Sequence, residues 1–219
     1  MLIEEAMWFG ERMGAIEAGS LSPLLNLGSS TEVFRKKFQP WLDEYVLDPL
    51  QARGVLVRNQ DLKPLPGVEI VGDLSDERFL RELSNNSFQA ILCANLLEHL
   101  ENRERLARAM LDMLPAGGFL FVSCPRRFPF HPDPIDTAFR PDVEELAALF
   151  PSCRRVAGEI VTCSTYADHL RPHKRRGLLK MALRLGVPFY RPGTWLVLAR
   201  HVPWLSRRLE ATCLVLQKA

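Results

Sequence analysis

Leu24-Leu25-Asn26-Leu27-Gly28-Ser29-Ser30 is a short, nearly apolar run that stops at a glycine and two small hydroxyl residues. It reads as a buried strand ending where the backbone turns sharply, since glycine adopts left-handed dihedrals without strain. Residues 31–38 follow as a helix, with Ser29, Ser30 and Thr31 available as caps and Gln39-Pro40 closing it. The alternation continues outward. Residues 55–57 form a second apolar run that gives out at Asn59-Gln60-Asp61, and 68–71 a third ending at Gly72-Asp73. Residues 90–93 and 119–123 are the fourth and fifth, with a helix over 103–113 between them and another over 142–150 opened by Pro141 in its first turn. Strands this apolar need cover on both faces, which is the habit of parallel strands joined by crossover helices. The expected fold is therefore an α/β, doubly wound, mostly parallel sheet with helices on both faces.

With 47% hydrophobic and 25% charged residues, the 219-residue chain is neither disordered nor a small disulfide scaffold, and it has room for one substantial core. We expect a single domain over 1–219, with its core at 20–150. The opening Met1-Leu2-Ile3-Glu4-Glu5 is acidic and unlike a signal peptide, and no run approaches the ~18 uninterrupted apolar residues of a spanning helix. Cys93, Cys124, Cys153, Cys163 and Cys213 are odd in number, widely spaced and without a C-x-x-C pair. Free thiols in a reducing compartment, hence a cytoplasmic protein, are the expectation.

Open α/β sheets bind ligands beyond the carboxyl ends of their strands, so the residues there carry the functional reading. After the first strand, Gly28-Ser29-Ser30 lets backbone N–H groups approach a ligand. After the second comes Asp61, a carboxylate suited to a ribose diol. After the third, Asp73 and Leu74 suit the edge and face of an adenine, and after the fourth comes Asn95-Leu96-Leu97-Glu98-His99-Leu100. Singly, each has a plainer reading as a strand terminator, helix cap or loop carboxylate. Together they suit an adenosine-like ligand.

These blocks, with Phe88-Gln89-Ala90-Ile91-Leu92-Cys93-Ala94 and Leu114-Pro115-Ala116-Gly117-Gly118-Phe119-Leu120, resemble the class I S-adenosylmethionine-dependent methyltransferases. The likeness is to the broad, methyltransferase type 11-like group whose motif after the fourth strand reads Leu-Glu-His, and it covers residues 20–150. It implies a Rossmann-like fold and S-adenosylmethionine as cofactor. By that resemblance the Gly28 loop, with Ser29 and Ser30, approaches the methionine part and Asp61 takes the ribose hydroxyls. Asp73 and Leu74 take the adenine, and Asn95 lines the pocket near the methionyl end. Two departures stand out: Asn26 occupies the usual acidic place of the first motif, with Gly28 its one remaining glycine, and Gln89 replaces a common aspartate.

Methyl transfer from a sulfonium depends mostly on aligning the acceptor, helped by a general base when the acceptor carries a proton. The segment His131-Pro132-Asp133-Pro134-Ile135-Asp136, stiffened by prolines, leaves the same sheet edge. His131 is the expected base, oriented by Asp133 or Asp136; the alternative is that it packs structurally. His99 is expected to brace the following helix. No metal is expected, because the local sequence offers too few ligands.

From 165 to 208 there are ten basic residues and one acid, a local charge of +9 that leaves −7 on the rest of a chain whose formal charge is +2. Arg176, Lys180 and Arg184 fall on one helical stripe among leucines, followed by Phe189, Tyr190, Trp195 and Trp204. We expect a helical insertion over 163–208, before the last strand at 211–216, acting as a lid on an anionic acceptor. Peripheral contact with an anionic membrane through 171–204, or packing against a second copy as a homodimer, are the alternatives. Nucleic acid is not expected, because the aromatics do not interleave with the basic residues. The overall reading is methyl transfer to an oxygen or nitrogen of a small-molecule, biosynthetic-intermediate or sugar acceptor. Its rivals are a methyltransferase-like partner protein that has lost the cofactor, and a nicotinamide-dependent oxidoreductase. The latter lacks its G-x-G-x-x-G after the first strand.

Overall fold

The computed structural model describes residues 1–131, 135–170, 183, 195 and 201–219. Its sheet comprises β1 (Leu24–Leu27), β2 (Val57–Asp61), β3 (Ile70–Val71), β4 (Ala90–Ala94), β5 (Phe119–Arg127), β6 (Cys153–Thr165) and β7 (Arg208–Lys218). The order is β3-β2-β1-β4-β5-β7-β6, with β7 antiparallel to both its neighbours and the other pairs parallel. The chain winds outward from β1 to β3 and then returns to β4 on the other side of β1. That reversal leaves a crevice at the carboxyl ends of β1 and β4.

Successive strand residues point to opposite faces, and both faces are covered. Leu24, Leu92 and Phe121 pack beneath α1 (Ile3–Gly14), with Phe9 and Met13, and beneath the Trp41, Val46 and Leu50 side chains. Those three residues follow α2 (Glu32–Phe38) and come from α3 (Pro40–Leu42), the π-helical turn Asp43–Leu47 and α4 (Asp48–Ala52). Leu25, Ile91 and Leu120 face α5 (Glu77–Ser84), α6 (Arg103–Met113) and α7 (Val143–Ala147), through Leu80, Leu106, Met110 and Leu146. A last helical turn, α8 (Tyr166–Leu170), follows β6. This is the doubly wound sheet expected from the sequence.

Several boundaries differ, for identifiable reasons. β2 starts at Val57 and runs through polar residues, because Asn59 and Gln60 are buried and hydrogen-bonded inside the sheet. The helix expected over 142–150 is opened by Asp142, whose side chain caps Glu145 N–H while Glu145 caps back; Pro141 precedes that cap. β6 is an edge strand with largely exposed side chains, so it carries charges in place of an apolar run. It takes residues 163–165 from the expected insertion, and β7 takes Arg208. Most of that insertion, and Asp133, lie outside the described residues. The five cysteines are free thiols, four of them buried, and burial pushes the Cys93, Cys124, Cys163 and Cys213 thiols up. Among the described residues, no helix is long and apolar enough to cross a membrane.

Candidate active site at the strand ends

The turn after β1 is left-handed at Gly28 (φ +63°) and again at Ser30 (φ +55°). A Cβ on Gly28 would come within 3.0 Å of the Leu96 side chain, so this position requires glycine for both conformation and space. The loop is laid against the end of β2. Ser29 N–H donates to the Gln60 carbonyl at 2.9 Å, and Ser30 N–H to Asp61 Oδ2 at 2.9 Å. Lys63 N–H donates to the other Asp61 oxygen at 3.1 Å. Gln60, fully buried, spans two strand ends: its Oε1 accepts from Gly28 N–H at 3.4 Å and its Nε2 donates to the Gly72 carbonyl at 2.7 Å.

Arg35 of α2 lies buried beneath the same loop. Its guanidinium donates to the carbonyls of Ser29 (3.4 Å), Ser30 (3.0 Å) and Gly67 (3.2 Å) and sits 3.5 Å from Asp43. Arg35→Ala leaves those acceptors and a half-buried carboxylate behind. Thermal or denaturant unfolding should show a stability loss of about 1.5–3 kcal/mol.

Asn26 and Asn59 are both buried, and Asn26 Nδ2 donates to Asn59 Oδ1 at 3.0 Å. At the end of β3, Asp73 accepts from Ser75 N–H at 2.8 Å, and this bond with the Ser75 side chain holds its carboxyl below the usual range. Leu74 is tucked into the core beneath α5. Asn95, left-handed at φ +50°, turns its amide to α1, where Nδ2 lies 3.0 and 3.1 Å from the two oxygens of Glu5.

Glu5 is fully buried and also accepts from Leu2 N–H at 2.9 Å and from the Ser123 hydroxyl. The sequence did not single it out: as one of two acidic residues in a helix's first turn, it looks like an ordinary cap.

A second group forms where the β4 and β5 ends meet. Glu98 and His99 lie on a 3-10 turn, Leu97–His99, after β4. The Glu98 side chain is fully buried, and neither of its oxygens has a hydrogen-bond partner among the described residues. Burial pushes its carboxyl up to about 8. His99 Nε2 stands 3.7 Å from Glu98 Oε1. His131 arrives from beyond β5, with its ring 5.2 Å from that of His99 and 4.8 Å from that of Phe128.

His131 Nδ1 is 3.1 Å from the Pro129 carbonyl and 3.3 Å from Asp136 Oδ2. Since both neighbours only accept, Nδ1 carries the hydrogen and Nε2 keeps its lone pair. Burial lowers the His131 pKa, so the ring is neutral near pH 7. Asp136 would be raised by its own burial, but bonds from Arg140 and from the N–H groups of His131 and Ala138 hold it down to about 2.

The structure thus brings Gly28, Ser30 and Asp61 directly together and sets Asp136 as the partner of His131. The Nδ1 of His99 bonds the Ile135 carbonyl, so this bond runs to the stretch before α7 and not to the following helix. The ligand-bearing groups that local sequence lacked around His131 come from the β4 end. A separate concavity of about 480 Å³, lined by residues including Pro23, Leu56 and Phe88, lies at the amino ends of the strands and holds none of these groups.

A model of the methyltransferase domain matches residues 28–122, from the Gly28 turn to the middle of β5. No curated protein matches the chain in sequence. Among solved structures, a provisionally assigned sarcosine dimethylglycine methyltransferase from Galdieria sulphuraria is similar at 12% identity and TM-score 0.53, covering 98% of this chain and 85% of that one. Coclaurine N-methyltransferase, solved with N-methylheliamine and S-adenosylhomocysteine, is similar at 15% identity and TM-score 0.54, covering 97% and 71%. A provisionally assigned methyltransferase from Bacillus halodurans is similar at 11% identity and TM-score 0.51, covering 97% and 98%. At these identities the structures speak for the fold, and the domain match speaks for residues 28–122. Over residues 28–122 the chain matches the methyltransferase domain, and its sheet has the Rossmann-like fold of the solved methyltransferases it resembles.

Proposed function

We propose that the chain binds S-adenosylmethionine across the carboxyl ends of β1 to β4 and transfers its methyl group to an oxygen or nitrogen of a small-molecule or glycan acceptor. The observation that carries the reading is the left-handed Gly28 turn held against Asp61 inside the matched domain. The residues present fit the cofactor. Asp61 sits at the end of β2 with one backbone N–H on each oxygen, which leaves lone pairs for a diol. When bound, the cofactor supplies a methyl group already activated on a sulfonium.

The chain's own task is then orientation and proton handling. Arg35 and Gln60 fix the loop that meets the cofactor. Glu5 fixes Asn95 at the edge of the crevice. Asp136 holds the His131 hydrogen on Nδ1, which leaves Nε2 to accept the proton of an acceptor hydroxyl or ammonium. Asp133, proposed from the sequence as an orienting partner, lies outside the described residues.

The rival, a relative that has lost the cofactor, draws support from Asn26 and Asn95, whose amides are both engaged by protein partners. Asp61→Ala separates the two. If Asp61 holds the ribose, calorimetry should show S-adenosylmethionine affinity weakened by about 1–3 kcal/mol, near ten- to hundredfold. Equal affinity in the variant would place the ribose elsewhere.

A further inference from the structure

We propose that Glu98, His99 and His131 form a binding site for a first-row divalent metal ion of the Zn²⁺ class, with an open coordination position facing solvent. The three residues place one donor atom each within 4.8 Å of one another. They come from two different strand ends, so the sheet assembles the group and no contiguous motif announces it.

Three features point to a ligand rather than a chance meeting. The Glu98 carboxyl is fully buried and aimed into the group, yet among the described residues no hydrogen-bond donor meets either oxygen. A buried carboxylate without donors is among the least stable arrangements a protein can hold, and a cation beside it removes the difficulty. Both imidazoles are also prepared as ligands. His99 donates its Nδ1–H to the Ile135 carbonyl, and His131 donates its Nδ1–H to Pro129 and Asp136, so both Nε2 lone pairs are free. Metal-bound histidines are fixed by carbonyls and carboxylates in this way.

The surrounding frame is itself fixed. Thr137 bonds the Glu98 carbonyl through its N–H and its hydroxyl, at 2.9 Å each, and Arg103 bonds the Thr137 hydroxyl at 3.1 Å. Asp136, behind His131, is gripped by Arg140 at 2.7 and 3.1 Å.

Two imidazoles and one carboxylate suit Zn²⁺, Co²⁺ or Fe²⁺ better than Mg²⁺ or Ca²⁺, and three protein ligands leave a position for water or substrate. Bonds of about 2.0–2.1 Å set tetrahedral ligands ~3.4 Å apart, so the donors must draw in by on the order of 1 Å. The His131 side chain, about a third exposed, leaves a path for the ion.

This site goes beyond the proposed methyl transfer and does not depend on it. It alters one detail: in the loaded protein the His131 lone pair belongs to the ion, and an acceptor hydroxyl at the open position loses its proton more readily by coordination.

The test uses the chelator-treated full chain without cofactor or acceptor, titrated with Co²⁺ by visible absorption and with Zn²⁺ by calorimetry. We expect one equivalent of Zn²⁺ bound at micromolar or tighter affinity, with Co²⁺ giving the intense bands of a low-symmetry site. Glu98→Gln and His131→Ala should each weaken Zn²⁺ at least tenfold. Glu98→Gln keeps the shape and adds no buried charge, so its fold should persist, as circular dichroism would verify. Absence of binding at millimolar Zn²⁺, or equal affinity in wild type and both variants, overturns the site. Either result leaves the S-adenosylmethionine calorimetry untouched, so the two proposals fail separately.

Discussion

Alanine in place of His131 should lower methyl-transfer turnover by about 10²–10⁴-fold while leaving S-adenosylmethionine affinity unchanged. The ring lies at the β5 end of the crevice, between Phe128 and His99, on the far side of β4 from the Gly28 turn. Its burial keeps it neutral near pH 7, and Asp136, ionised because Arg140 holds it down to about 2, fixes the ring's tautomer. As the base in the metal-free protein, or as a ligand in the loaded one, His131 serves the acceptor's proton and not the cofactor. The readout is S-adenosylhomocysteine release with a mixture of phenol, sugar and amine acceptors, alongside cofactor calorimetry. Unchanged turnover would return His131 to a packing role.

The second large effect is on stability. In chelator-treated protein, Glu98→Gln should be stabilising at pH 8 and close to neutral at pH 4. The folded Glu98 carboxyl keeps its proton up to about 8, whereas an unfolded one releases it near 4.5. Between those values the folded state binds the extra proton, so wild-type stability falls as pH rises, by up to about 1.4 kcal/mol per pH unit from this group. Below 4.5 both states are protonated and no penalty exists; above 8 the penalty is constant. Glutamine removes the dependence. Urea unfolding at several pH values should show the two curves diverging from pH 4.5 to 8, and parallel curves would mean that Glu98 ionises freely in the folded chain.

The sheet was legible in the sequence because its central strands are buried on both faces. Leu24-Leu25 and Ala90–Ala94 can be little else, and the helix over 103–113 appears with those bounds. Legibility failed where burial is polar or partial. β2 hides behind Asn59 and Gln60, which can be inside the protein because Asn59 accepts from Asn26 and Gln60 bonds Gly28 and Gly72. β6 hides because an edge strand needs no apolar run.

The candidate site divides the same way. Gly28 and Asp61 could be found from their places at strand ends. Glu5 could not, since its meeting with Asn95 spans 90 residues and depends on α1 folding over the sheet. The pairing of Glu98 and His99 with His131 is equally a product of β4 lying beside β5, which no local spacing records.

The central claim is that the strand ends bind S-adenosylmethionine. Calorimetry of the full chain with S-adenosylmethionine, with NADH as the control, tests it most directly. Saturable binding of one equivalent of S-adenosylmethionine and none of NADH is the predicted result. No heat from S-adenosylmethionine at millimolar concentration would contradict it.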